Sequence, residues 1–234
     1  MALAPRPADD PVGAALVAAI RAGHSDRLEE LLREHPDAPH VQIAELGCDN
    51  TRSLLHIATD WPGHFPNVRA SIAVLVRAGA DVNARGRGAI TETPLHWAAS
   101  SDDVDALDAL LDAGADIDAG GAVIAGGTPL SDAVAFGQWN AARRLVERGA
   151  TVPFREAAAL GLMELVVDGA ENADADDLNQ ALWYACHGGQ RAAAKYVLER
   201  GADPAWTAPW DGLTPAAAAR RSGAEELANW VGER

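Results

Sequence analysis

The sequence predicts an all-α fold, a solenoid of stacked helix pairs, and three observations carry that expectation. The first is internal self-similarity. Thr93-Pro94-Leu95-His96-Trp97-Ala98-Ala99-Ser100 returns as Thr128-Pro129-Leu130-Ser131-Asp132-Ala133, a step of 35 residues. The second is a fixed interval: the motif leucine stands 19 residues before a glycine in three copies, Leu95 to Gly114, Leu130 to Gly149 and Leu182 to Gly201. The third is apolar periodicity between those landmarks. Leu107, Leu110 and Leu111 fall at i, i+3, i+4, as do Leu28, Leu31 and Leu32, which gives a helix one apolar stripe. A pair of such helices cannot bury its apolar face alone, so neighbours must stack.

Along the chain the pattern gives about seven units, with capping ends, over residues 12–40, 51–84, 91–119, 126–151, 152–171, 178–205 and 212–234. They make one domain, 12–234, behind a flexible tail of residues 1–11. The second unit opens with the looser copy Ser53-Leu54-Leu55-His56; the third, fourth and seventh open with Thr-Pro at Thr93, Thr128 and Thr214. There a threonine hydroxyl caps the first helix and proline occupies the first turn, where its missing N–H costs little. The fifth and sixth units carry Val152-Pro153-Phe154 and Gln180-Ala181-Leu182 in the same place. Paired alanines such as Ala98-Ala99 let first helices approach closely, and the glycine ending each second helix suits a left-handed C-cap.

These residues resemble ankyrin repeats, over nearly the whole chain from about Val12 to Trp230. The resemblance implies short β-hairpin fingers between helix pairs and a concave groove lined by the ends of the first helices. It also implies that His56 and His96 hydrogen-bond within and between repeats, and it names no activity. The groove positions it indicates are Asp60 and Trp61, Ser100 and Ser101, Ala135 and Phe136, Ala159 and Leu160, His187 and Gly188, and Arg221 and Ser222.

Two departures from the interval are informative. Leu55 to Gly79 is 24 residues, which places an insert at Pro62-Gly63-His64-Phe65-Pro66, between two helices, stiffened by a proline at each end. Phe154 to Gly169 is only 15, equivalent to about one lost turn of the outer helix in a truncated fifth unit. The connection ahead of that unit, Gly149 to Val152, leaves no room for a finger.

Composition removes several functions. Of 234 residues, 34 are acidic and 19 basic, a net charge of −15, which disfavours nucleic acid and an anionic membrane surface. Lys195 is the only lysine, and the abundance of Ala, Gly, Asp and Arg fits a GC-rich bacterial genome. Cys48 and Cys186 make neither a disulfide framework nor a metal knuckle. The apolar stretch from Val12 to Ile20 is too short for a signal peptide, follows Asp9, Asp10 and Pro11 in place of a basic cluster, and is ended at once by Arg21, so a cytoplasmic location is expected. No cofactor and no metal is expected.

Stacked helices sit about 8–10 Å apart, so residues four repeats apart are separated by roughly 30–40 Å. Asp60 and His187 therefore cannot form a dyad, and two local clusters remain. One holds Asp60, Trp61, His64, Phe65, Trp97, Ser100, Ser101 and Asp103, continuing to Phe136 and Gln138. The other holds Trp183, Tyr184, His187 and Gln190 with Trp206, Trp210, Asp211 and Arg220. Asp105, Asp108 and Asp112 fall on one helix face and read as a solvated outer surface. The leading expectation is a non-catalytic module that engages a basic protein or peptide partner through the groove. The alternative is a small-molecule site or acid–base enzyme, with a pocket at units two to four under the Pro62–Pro66 insert and Asp60, His64 and Asp103 as catalytic candidates. No recognised catalytic motif supports that alternative.

Overall fold

The structure, a computed structural model, describes residues 5–7, 9–44, 49–122 and 126–234. The chain divides into two compact units, Met1–Ala150 and Thr151–Arg234. In the first unit four helix pairs follow one another: α1 (Pro11–Arg21) with α2 (Ser25–Glu34), α3 (Leu54–Ala58) with α4 (Val68–Arg77), α5 (Pro94–Ser100) with α6 (Val104–Asp112), and α7 (Pro129–Ala135) with α8 (Trp139–Glu147). The first helices pack on one another in series, α1 on α3, α3 on α5 and α5 on α7; the second helices do the same, α2 on α4, α4 on α6 and α6 on α8. Leu16, Leu55, Leu95 and Leu130 of the inner layer, and Leu28, Ile72, Leu75, Leu107 and Leu110 of the outer layer, are wholly buried. The periodic leucines are therefore the core, as their spacing demands.

The second unit contains α9 (Phe154–Leu160) with α10 (Met163–Ala170), α11 (Ala175–His187) with α12 (Arg191–Glu199), and α13 (Pro215–Arg221) with α14 (Glu225–Gly232). Its inner layer is rich in buried alanine, with Ala157, Ala158, Ala181, Ala185 and Ala219 packed around Leu182 and Cys186. Burial pushes the Cys186 thiol up to about 12, so it stays a protonated packing group. Cys48 lies outside the described residues.

The motif histidines are explained by what they bond. His56 Nδ1 lies 2.8 Å from Ser53 Oγ and accepts the Ser53 backbone N–H, while Nε2 lies 3.1 Å from Glu92 O. His96 repeats this with Thr93 (2.9 Å to Oγ1) and Gly127 O (3.3 Å). With Nδ1 accepting from the backbone, Nε2 carries the proton and donates to the carbonyl of the following finger. Burial pushes both imidazoles down to about 4. They are neutral pegs joining one repeat to the next.

Several sequence expectations are corrected. Residues 5–7 do not belong to a free tail: the Arg6 backbone donates to Gln42 O and accepts from Ala44 N, and its guanidinium pairs with Asp10 and Asp37. Among the described residues the fingers contain one paired hairpin, β1 (Ile43–Ala44) with β2 (Thr51–Arg52), and an isolated antiparallel bridge between Thr51 and Arg87. Asp108 is not solvated but 6% exposed, and it accepts from Arg69 of α4 (3.2 Å) and from Arg144 (2.8 Å) and Arg148 (2.6 Å) of α8. It ties three outer helices together. Burial works to raise its pKa, but Arg144 and Arg148 outweigh that and hold the carboxyl below the usual range.

The fifth helix pair does not lose a turn. Gly169 lies inside α10 and has no positive φ, whereas Gly149, a true C-cap, has φ 93°. A Cβ at Gly169 would stand 2.6 Å from Cδ2 of Phe154, so glycine is there for close approach of α9. The outer helix α10 has 8 residues against 9 in α6 and α8. What is shortened is the connection: residues 171–174 lead directly into α11, whose 13 residues begin well before the motif leucine Leu182.

Candidate binding site

In the first unit, residues 59–67 separate α3 from α4, where residues 101–103 and 136–138 suffice for the next two pairs. This long turn is held at several points. The His64 backbone N–H donates to Asp103 Oδ2 (2.5 Å), and the Asn67 amide donates to Gly23 O (3.0 Å). Gly63, at φ 75°, lies so close to the third pair that an added Cβ would stand 3.0 Å from Ser101 Cβ. Asp103 is fully buried and also caps α6 by accepting from Ala106 N (3.0 Å). Its carboxylate is thus occupied in fixing the insert. The His64 ring is largely exposed, with Nδ1 4.0 Å from Asp103 Oδ1.

Asp60 does not turn toward His64 either. Its Oδ2 accepts from Arg21 (3.1 Å) and from Arg52 (3.0 Å). Sequence reasoning missed both arginines, because neither falls at a groove position. Arg52 sits 6.0 Å over the Trp97 ring, and Trp97 Nε1 donates to Glu92 (3.0 Å) while its ring meets His56 edge-on at 4.9 Å. Trp97 is half-buried and belongs to the framework. Trp61 is different: it is 80% exposed on the pinned turn, while Phe65 of the same turn is half-buried. Ser100 Oγ donates to Trp97 O, and the Gln138 amide donates to Ser100 O (3.1 Å), so these polar groups are engaged inside the stack. Phe136, on the fourth pair, is 53% exposed. Open clefts of about 260 to 340 Å³ occur, but they are lined by other residues, such as Glu29, Arg33, Val74 and Arg77, or Arg69, Val76, Ala109 and Asp112. Among the described residues no group of His, Cys, Asp and Glu is placed to hold a metal.

The second unit brings together most of its expected cluster. Trp183, Tyr184 and His187 are buried on α11, Trp206 is half-buried, and Trp210 is 46% exposed. Trp210 meets Trp183 edge-on at 5.2 Å, Trp206 at 5.6 Å and Tyr184 at 6.0 Å. His187 Nδ1 lies 3.0 Å from Ser222 Oγ. Gln190 donates to Gly188 O (3.0 Å), and its side chain covers Gly161. The arginine of this cluster is Arg221 and not Arg220, which pairs with Glu225 instead. Arg221 is 5.4 Å over the Trp183 ring and bonds Asp211 at 2.8 Å. Arg155, missed from sequence, is 5.7 Å over Tyr184 and pairs with the buried Glu156. Tyr184 is raised above its ordinary pKa, first by burial.

Comparison with known proteins agrees with this architecture. Residues 70–156 match the family model for ankyrin repeats, in three copies. Among solved structures, the ankyrin repeat domain of human ASB11 is similar at 19% identity and a TM-score of 0.54, covering 92% of this chain and 96% of that one. No curated protein matches the sequence. Ankyrin repeats are in general protein–protein interaction modules, and no helix among the described residues is long and apolar enough to cross a membrane. The chain therefore contains ankyrin repeats, three of them within residues 70–156, in the fold of an ankyrin repeat domain.

Proposed function

We propose that this chain is a non-catalytic binding module that engages a basic protein or peptide through the groove face of its first unit. The observation that carries the reading is Trp61, 80% exposed on a turn anchored by Asp103 and Asn67. A large, rigid, preorganised aromatic gives contact area at little entropic cost, as binding anchors do. Phe136 extends the apolar contact two helix pairs along, with Ser100 and Ser101 between. A net charge of −15 favours a cationic partner and steers its approach. The carboxylates proposed for acid–base chemistry are committed elsewhere, Asp60 to two arginines and Asp103 to two backbone N–H groups, which weighs against a catalytic role.

The test is selection from a peptide library of mixed charge, followed by stopped-flow binding at low and high salt. Selected peptides are expected to be basic, their association to slow at high ionic strength, and their affinity to fall in Trp61→Ala. Selection of acidic peptides, or unchanged affinity in that variant, would overturn the proposal.

A further inference from the structure

The aromatic cluster of the second unit occupies a position where the repeat motif has a hydrogen bond. Trp183 follows Leu182 as His96 follows Leu95 and His56 follows Leu55. In those two repeats the histidine donates to a carbonyl of the following finger. Trp183 Nε1, by contrast, is buried in a residue only 3% exposed and has no acceptor among the described residues. An unpartnered buried donor is costly, so the tryptophan is not there to repeat the histidine's task. Its ring supplies a surface instead. Trp210 closes one edge, His187 lies against it at 5.2 Å, and the Arg221 guanidinium lies over it while bonding Asp211.

That arrangement is a complete recognition site for a guanidinium: an indole for the planar cation to lie on and a carboxylate to receive its N–H groups. The chain's own arginine fills it. Arg221 is half-exposed at the end of α13, where it bonds Asp211 and lies over the ring. Trp210 is left 46% exposed beside the filled site, more exposed than a tryptophan needs to be for packing alone.

We infer that Trp183, Trp210 and Asp211 form a binding site for an arginine side chain of a partner, which Arg221 occupies until the partner displaces it. The inference rests on the reading of the partner as basic, and adds to it the side chain recognised and a second point of attachment. Arginine is favoured over lysine because a guanidinium can lie flat on the ring and bond Asp211 at once, whereas an ammonium does one or the other less well. Arg221 acts as a competitor, so its removal opens both the ring face and the carboxylate.

The experiment is calorimetric titration of the full chain with a capped peptide of alternating glycine and arginine, and with its lysine counterpart. Arg221→Ala is expected to bind the arginine peptide at least threefold more tightly than the unsubstituted chain, while Trp210→Ala and Asp211→Asn each weaken it about tenfold. Arg221→Ala is a surface substitution that does not threaten the fold. Weaker binding in Arg221→Ala, or equal affinity for the lysine peptide, overturns the inference. Trp61→Ala is measured alongside. Binding lost in that variant but unchanged in Trp210→Ala overturns the inference and leaves the proposed groove standing. The reverse pattern supports the arginine site and sinks the groove.

Discussion

One position in the inner helix sets α3 and α5 of the first unit against α11 of the second. In α3 and α5 of the first unit it is His56 and His96, each neutral, buried and bonded through both ring nitrogens. In α11 of the second unit it is Trp183, which packs against Trp210, Tyr184 and His187 and leaves its N–H without an acceptor among the described residues. The first arrangement is satisfied at every polar atom and has nothing left to offer a ligand. The second gives up a hydrogen bond for aromatic area, part of which reaches solvent through Trp210. A repeat that breaks its own motif at the inter-repeat link is where binding surface is to be sought, because the departure carries a stability cost that packing alone does not require.

The comparison is broken most directly by pH. In the folded chain His56 and His96 titrate at about 4, below the ordinary histidine value of 6.5. The unfolded chain therefore binds protons first, and the histidines' contribution is present above pH 6.5 and lost as pH falls through 4. The loss is up to about 3 kcal/mol per histidine. Urea unfolding of the first unit is expected to show that fall between pH 6.5 and 4, and His96→Gln to remove about half of it. A flat profile across that window would mean that the two rings are not buried neutral pegs.

Next in size is Trp183→Ala, expected to destabilise the second unit by about 3–5 kcal/mol, the usual cost of emptying a large aromatic site. The measurement is the unfolding midpoint followed by near-ultraviolet circular dichroism. A loss below about 1 kcal/mol would show that the cluster contributes little to the fold. Smaller again is Asp108→Asn. Three arginines converge on that carboxylate, but each has a second partner: Asp105 for Arg69, Glu147 for Arg144 and Asp112 for Arg148. The expected cost is about 2 kcal/mol, less than for an isolated buried pair. Asp105→Asn, at an exposed site, is expected to change stability hardly at all.

The fold was legible because its signals are local and repeated. Thr93-Pro94, Leu95 and Gly114 each act through backbone geometry or burial that the residue type alone dictates. The errors arose where one residue type serves two purposes. Gly169 beside Ala170 looks like the end of a helix, yet its missing side chain makes room for Phe154. Asp108 looks like its neighbours Asp105 and Asp112, yet Arg69 and Arg144 reach it from helices 36 to 39 residues away in sequence. The site was legible as a list of residues but not as a set of partnerships. Arg21, Arg52 and Arg155 carry no motif, and only the stacking of repeats brings them to Asp60, Trp97 and Tyr184.

The smallest expected effect on stability is the one that separates binding from architecture. Trp61 and Trp97 both stand at the inner-helix side of the first unit, and sequence gives no ground for treating them differently. Trp97 donates to Glu92, meets His56 and lies under Arg52, so Trp97→Ala removes a hydrogen bond and opens a gap beside a buried histidine. Loss of binding in that variant would not distinguish a contact from a damaged fold. Trp61 has almost no surface to lose to the core, and its turn is fixed by backbone and side-chain bonds that do not involve its indole. Trp61→Ala is therefore expected to leave the unfolding midpoint within about 0.5 kcal/mol of the unsubstituted chain. Affinity for a selected basic peptide is expected to fall at least about tenfold, near 1.4 kcal/mol. A variant that unfolds more easily yet binds as before would reverse the roles assigned to the two tryptophans and make the turn, not the groove, the reason for the insert.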